Sequence, residues 1–66
     1  MNTKELKIEM LKNDDTDMKL ADFLGISRSS VSLKKTGKIP FKRDEIKAIS
    51  ERYNLSPERI VEIFFT

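Results

Sequence analysis

Sixty-six residues with thirteen basic and eleven acidic side chains make one small domain, residues 1–66, of net charge +2. With no cysteine and no histidine, the usual structural zinc sites are excluded, as are thiol and imidazole catalysis. A chain this short buries only about 60% of its unfolded surface, so its expected stability is roughly 3–5 kcal/mol.

The first predicted helix runs from Thr3 to Leu11, with Leu6 and Met10 at i,i+4 and Ile8 and Leu11 at i,i+3. Asn13-Asp14-Asp15 breaks it. Thr16 then fits an N-cap, and Asp17 suits the positive end of the next helix dipole. That second helix ends at Leu24, with Gly25 in the left-handed position that follows many helices. Ser27 can cap a third helix, from Arg28 to about Lys35, which Thr36-Gly37 stops. Ile39-Pro40 must be extended, because the residue before proline avoids helical angles, and Ile39 and Phe41 are expected to tuck this loop onto the core. A fourth helix spans Arg43 to Tyr53, with Asp44 and Glu45 in its first turn and Ile46, Ile49 and Tyr53 inward. Ser56-Pro57-Glu58 starts a fifth, running to the chain end with Ile60, Ile63 and Phe64 facing the core. No strand signal or repeat appears.

The segment from Leu20 to Ser32 carries the functional argument. A short helix, a small residue (Ala21), a glycine turn (Gly25) and a serine-capped helix form the pattern of a helix-turn-helix, at about residues 17–35. Arg28, Ser29 and Ser32 would point outward as short polar readers of a nucleic-acid groove. Charge is distributed in the same sense. Residues 1–25 carry four bases and six acids, and residues 44–66 carry three and five. Residues 26–43 hold Arg28, Lys34, Lys35, Lys38, Lys42 and Arg43 with no acid at all. Such a block is the footprint of phosphate contact, although a solvated lysine face is the plainer reading.

On Leu20-Ala21, Leu24-Gly25-Ile26-Ser27, Val31-Ser32, Gly37-Lys38 and Asp44-Glu45-Ile46, nearly the whole chain resembles the phage repressor and Cro-like proteins of the xenobiotic-response-element class. It resembles in particular the short Cro-like proteins of phages infecting Gram-positive bacteria. The resemblance implies an all-α, five-helix, lambda-repressor-like domain that binds double-stranded operator DNA and regulates transcription. Its recognition helix, about 28–35, would lie in the major groove. Arg28 and Ser29 become base readers, Ser32 and Leu33 fall on positions that often touch bases, and Ser30 falls on a common phosphate position; Ser27 joins it.

Two departures from the family pattern stand out. Lys34 and Lys35 occupy the end of the third helix, where a bulky apolar side chain is usual. Either could bury its stem and lift its charge to phosphate, as Lys38 and Lys42 would from the following loop and Arg43 from the start of the fourth helix; alternatively the helix is slightly rotated and Leu33 fills the core position. Met18-Lys19 stands where a glutamine often touches the DNA backbone, so either that touch is missing here or Lys19 makes it.

Ser32-x-x-Lys35 and Lys35-Thr36-Gly37 imitate fragments of a penicillin-binding serine enzyme, but they share one lysine where that chemistry needs separate elements. Gly25 and Gly37 are misplaced for a P-loop, and Asp14, Asp15 and Asp17 lack the glycine and glutamate of a calcium loop. No catalytic residue, metal or cofactor is therefore expected. The rival reading is an antirepressor-like or antitoxin-like module of the same fold that binds a phage or host regulatory protein. Val61 and Phe65 form a second apolar stripe on the fifth helix, suited to a weak homodimer unless the chain end folds over the core and buries both. The charged start, Met1-Asn2-Thr3-Lys4-Glu5, and the Glu62 that interrupts the apolar end suggest no leader and no membrane segment, hence a cytoplasmic protein.

Overall fold

Four short polar side chains decide where four of the five helices begin. In the computed structural model, which describes residues 1–66, these are Asn2, Thr16, Ser27 and Ser56. Each adopts extended backbone angles and accepts a hydrogen bond from an N–H in the first turn, the donors being Glu5, Lys19, Ser30 and Arg59. The helices are α1 (Thr3–Lys12), α2 (Asp17–Leu24), α3 (Arg28–Lys35), α4 (Arg43–Arg52) and α5 (Pro57–Phe64). The domain is thus all-α, a five-helix fold of helix-turn-helix type with no strand.

Helix boundaries fall within a residue or two of the sequence expectation. α4 stops at Arg52 rather than Tyr53, and α5 stops at Phe64, leaving Phe65 and Thr66 beyond it. At the first two breaks between helices, Asp14 (φ 51°) and Gly25 (φ 72°) take left-handed angles. Nothing lies within 4 Å of a Cβ added at Gly25, so that position needs glycine for its backbone angle and not for space.

Leu6, Leu20, Val31, Ile49 and Ile63 are fully buried, one from each helix, and Met10, Ala21, Phe41, Tyr53 and Phe64 complete the core. Phe41 enters from the α3–α4 loop and meets Phe64 edge to face, with ring centroids 5.8 Å apart. Ile39, expected to tuck in beside it, remains 39% exposed. Of the two stripes read on α1, only Leu6 and Met10 pack inward; Ile8 and Leu11 are exposed. Glu9, one turn after Leu6, is buried in their place.

Glu9 is buried because Arg59 of α5 reaches it at 2.8 Å, while also donating to Glu5 (2.6 Å) and Glu62 (3.1 Å). The chain ends are joined as well, Asn2 N–H donating to the Ile63 carbonyl at 2.6 Å. Asp15, which the sequence suggests only as a helix break, ties the α1–α2 loop to the end of α4. Its carboxylate accepts two N–H bonds from Arg52 (2.9 and 3.0 Å) and the Tyr53 hydroxyl (2.5 Å). Arg52 in turn lies 4.6 Å above the Phe23 ring. Every buried side-chain nitrogen and oxygen has a hydrogen-bond partner, as a small core with little stability in reserve requires.

Candidate nucleic-acid interface

α2 and α3 are joined by a turn that the sequence closes from both sides. Gly25 N–H donates to the Asp22 carbonyl (3.3 Å) and Ile26 N–H to the Ala21 carbonyl (3.1 Å), satisfying the end of α2. Two residues later Ser27 opens α3. Its hydroxyl accepts from Ser30 N–H at 3.0 Å and donates to the Ser30 hydroxyl at 2.9 Å. Ala21, only 3% exposed, lets α3 lie close against α2.

With Val31 fixed inward, the 100° step per residue settles the other side of α3. Arg28, Ser29, Ser32 and Leu33 are all exposed, at i, i+1, i+4 and i+5, and so share one outward face. These are the four residues expected to read bases. Leu33 is 42% exposed, so the alternative in which it fills the core is not what the chain adopts. Ser27 and Ser30, expected at phosphates, lie together at the start of this helix with their hydroxyls already hydrogen-bonded to each other.

The six cations of the acid-free block separate into two groups. Arg28, Lys38, Lys42 and Arg43 are exposed and make no ion pair. Lys34 is different: it is 7% exposed, and its Nζ lies 2.6 Å from Glu45 Oε1. The expectation that Lys34 lifts its charge to phosphate is therefore corrected. Its position three residues after Val31 turns it inward, and a carboxylate of α4 receives the ammonium there. Lys35 is half-buried and pairs with Asp17 at 2.8 Å, joining the end of α3 to the start of α2. Its charge, too, is engaged within the protein. Lys19, beside the exposed Met18, bonds the Asp14 carbonyl at 3.3 Å.

Glu45 is the residue of this region that sequence reasoning missed as a partner. The same Oε1 atom also accepts Lys42 N–H at 2.8 Å, closing the first turn of α4. Burial alone would raise its carboxyl, but the Lys34 ammonium and the Lys42 amide outweigh that and hold it below its ordinary value. A signal was present in the sequence. Lys34 follows Val31 by three positions and Glu45 precedes Ile49 by four, so opposite charges occupy core-facing positions of successive helices.

Beyond α3, Gly37 at φ 84° turns the chain into the loop that carries Lys38. The loop, the chain start and the end of α5 enclose an open groove of about 480 Å³, lined by Ile39, Pro40, Phe41, Ile46 and Phe65 among others. Val61 and Phe65 are 52% and 65% exposed, so the chain end does not bury the second stripe of α5. No group of side chains suited to a metal ion is present, and no helix is long and apolar enough to cross a membrane.

A family model described as the BetR domain matches residues 4–64. No curated protein and no solved structure matches the chain.

Proposed function

The chain belongs to the BetR-domain family, a family of helix-turn-helix-like domains, and from that premise we propose that it is a sequence-specific DNA-binding regulator of transcription, of the phage Cro or repressor type. One observation supports this most: the outward face of α3 presents Arg28, Ser29, Ser32 and Leu33, and three more exposed cations, Lys38, Lys42 and Arg43, follow it in the chain with no ion-pair partner in the protein. A guanidinium, two hydroxyls and an apolar tip are the groups that read guanine, adenine or cytosine edges, and the thymine methyl. Such a regulator acts in the cytoplasm and needs no catalytic group, metal or cofactor.

Arg28, Lys38, Lys42 and Arg43 are the cations available to phosphate. If each neutralises one, log affinity for duplex DNA falls against log salt with a slope of roughly −4, about a 250-fold loss between 50 and 200 mM. Titration of a labelled duplex, selected by the protein from a random pool, measures this. A flat response rejects DNA binding and favours the antirepressor-like or antitoxin-like reading with a protein partner.

One α3 covers few base pairs, and pairing about a two-fold axis would extend the site to a palindrome. The partner in this reading is a second copy. Exposed Phe65 sits at the rim of the apolar groove it helps to line, so a two-fold arrangement offers each copy's ring to the other's groove. A standard interface of about 800 Å² per partner would cover close to a fifth of the 4410 Å² surface. Val61, Phe65 and the groove rim supply only part of that, so the dimer is weak and completes on DNA. Sedimentation of wild type and Phe65→Asp is expected to show a concentration- or DNA-dependent dimer that the variant loses while staying folded. A wild type monomeric both alone and on a two-half-site duplex rejects the dimer, and a folded Phe65→Asp that still pairs removes Phe65 from its interface.

A further inference from the structure

The two ion pairs that engage lysines of the basic block differ in depth. Lys34 and Glu45 are closed off, with side chains only 8% and 7% exposed, whereas those of Lys35 and Asp17 keep 20% and 23%. They differ in position too. Lys35 follows Arg28 by seven residues and Ser32 by three, which puts it about 20° from Arg28 and about 60° from Ser32 around the helix axis. It therefore stands at the margin of the outward face of α3, next to the row that Arg28 and Ser32 form. What holds it back is one carboxylate oxygen, Asp17 Oδ1, at 2.8 Å. Asp17 accepts no other hydrogen bond through its side chain, because Thr16 already caps the start of α2.

We propose that Asp17 is an autoinhibitory residue of the DNA interface: by pairing with Lys35 it withholds a fifth cation from phosphate and limits affinity without altering sequence discrimination. Like charges repel, so a carboxylate at the edge of the reading helix opposes phosphate directly. Paired, it also cancels the ammonium that would attract phosphate. The group it competes with is the DNA backbone, which is the same in every sequence. Its restraint therefore acts on all duplexes together. A partly exposed ion pair contributes little to stability, so one substitution can release Lys35 and leave the fold intact. The inference rests on the DNA-binding reading above and extends it from the residues that attract DNA to one that restrains it.

Asp17→Ala leaves the Lys35 ammonium without its partner and free to reach a phosphate. Its salt slope should steepen by about one, and it should bind selected and scrambled duplexes alike roughly five- to tenfold more tightly at 100 mM salt. Asp17→Glu keeps a carboxylate within reach of Lys35 and should keep the wild-type slope. Lys7, exposed and without an ion pair, lines the same small basin as Asp17 and Lys35, so it is the other cation that could gain. Asp17→Ala/Lys35→Gln separates the two lysines and should return to the wild-type slope. A double variant that stays steep assigns the gain to Lys7 or to lost repulsion, and overturns the proposal. So does an unchanged slope in folded Asp17→Ala, or a gain confined to the selected duplex. If Asp17→Ala does not fold, Asp17→Asn, whose neutral amide holds an ammonium less firmly, takes its place with the same direction of change. Failure of both to fold makes the pair a stability element alone and overturns the proposal. A wild type with no salt-dependent DNA binding rejects the functional reading itself and is seen before any variant is made.

Discussion

Glu45→Ala is expected to unfold most of the protein at room temperature. The substitution strands the Lys34 ammonium in the core and leaves Lys42 N–H without its acceptor, and removing one member of a buried pair costs about 3–5 kcal/mol. That equals the whole stability expected of a domain this size. Lys34→Met/Glu45→Gln removes both charges while keeping the stem volume and the amide acceptor, so it should recover most of the loss. Urea titrations followed by circular dichroism measure both. Equal destabilisation in the single and double variants would show that the ion pair is not the source. The same chemistry gives the wild type an acid limb. Arg52 above all holds the Asp15 carboxyl below its ordinary value of 3.8, with Tyr53 and the Thr16 amide acting alongside. Glu45 is held below 4.5, its bonds to Lys34 and Lys42 N–H overcoming its burial. Folded-state values below the unfolded ones mean that this stabilisation is complete above the ordinary values and drains away as pH falls through the lowered ones. At the alkaline end, burial and the bond to Asp15 push the Tyr53 hydroxyl well above its ordinary 10.0. Its contribution is complete below that value and is lost as pH rises beyond it.

The helices were legible because their punctuation is local. Thr16, Ser27 and the Ser56-Pro57-Glu58 run each act within one turn of themselves, and Gly25 needs only its own backbone angle. The outward face of α3 was legible for the same reason, since Val31 fixes one side and the helical period fixes the other. Pairings across the chain were not. Asp15 meets Arg52 and Tyr53 across thirty-seven and thirty-eight positions, and Arg59 meets Glu5 and Glu9 across fifty-four and fifty. An acid in a loop reads as a helix break, because nothing nearby says which distant cation will cover it. The residue type of Lys34 misleads: a lysine suggests solvent unless its position at i+3 from Val31 is given more weight than its charge. Two of the six cations of the basic block are thus consumed by the fold itself.

Arg28→Ala is expected to weaken binding to the selected duplex by about 1–3 kcal/mol and to relax specificity at one position of the site. Arg28 opens α3 on the outward face, fully free of protein partners, and its planar fork can bond two acceptors of one guanine at once. Lys38 lies beyond α3, after the turn at Gly37, on a loop and not on the reading face. An ammonium there acts as a point charge toward phosphate, which is the same in every sequence. Lys38→Ala should therefore weaken selected and scrambled duplexes alike and make the salt slope shallower by about one. Arg28→Ala differs in the quantity that matters, the ratio between the two duplexes. Both side chains are exposed and outside the core, so neither variant should alter the urea midpoint by much. Competition of labelled selected duplex with unlabelled scrambled duplex, at two salt concentrations, separates the two effects in one experiment. Equal loss of discrimination in the two variants would remove Arg28 from the readers and leave it a phosphate contact like Lys38.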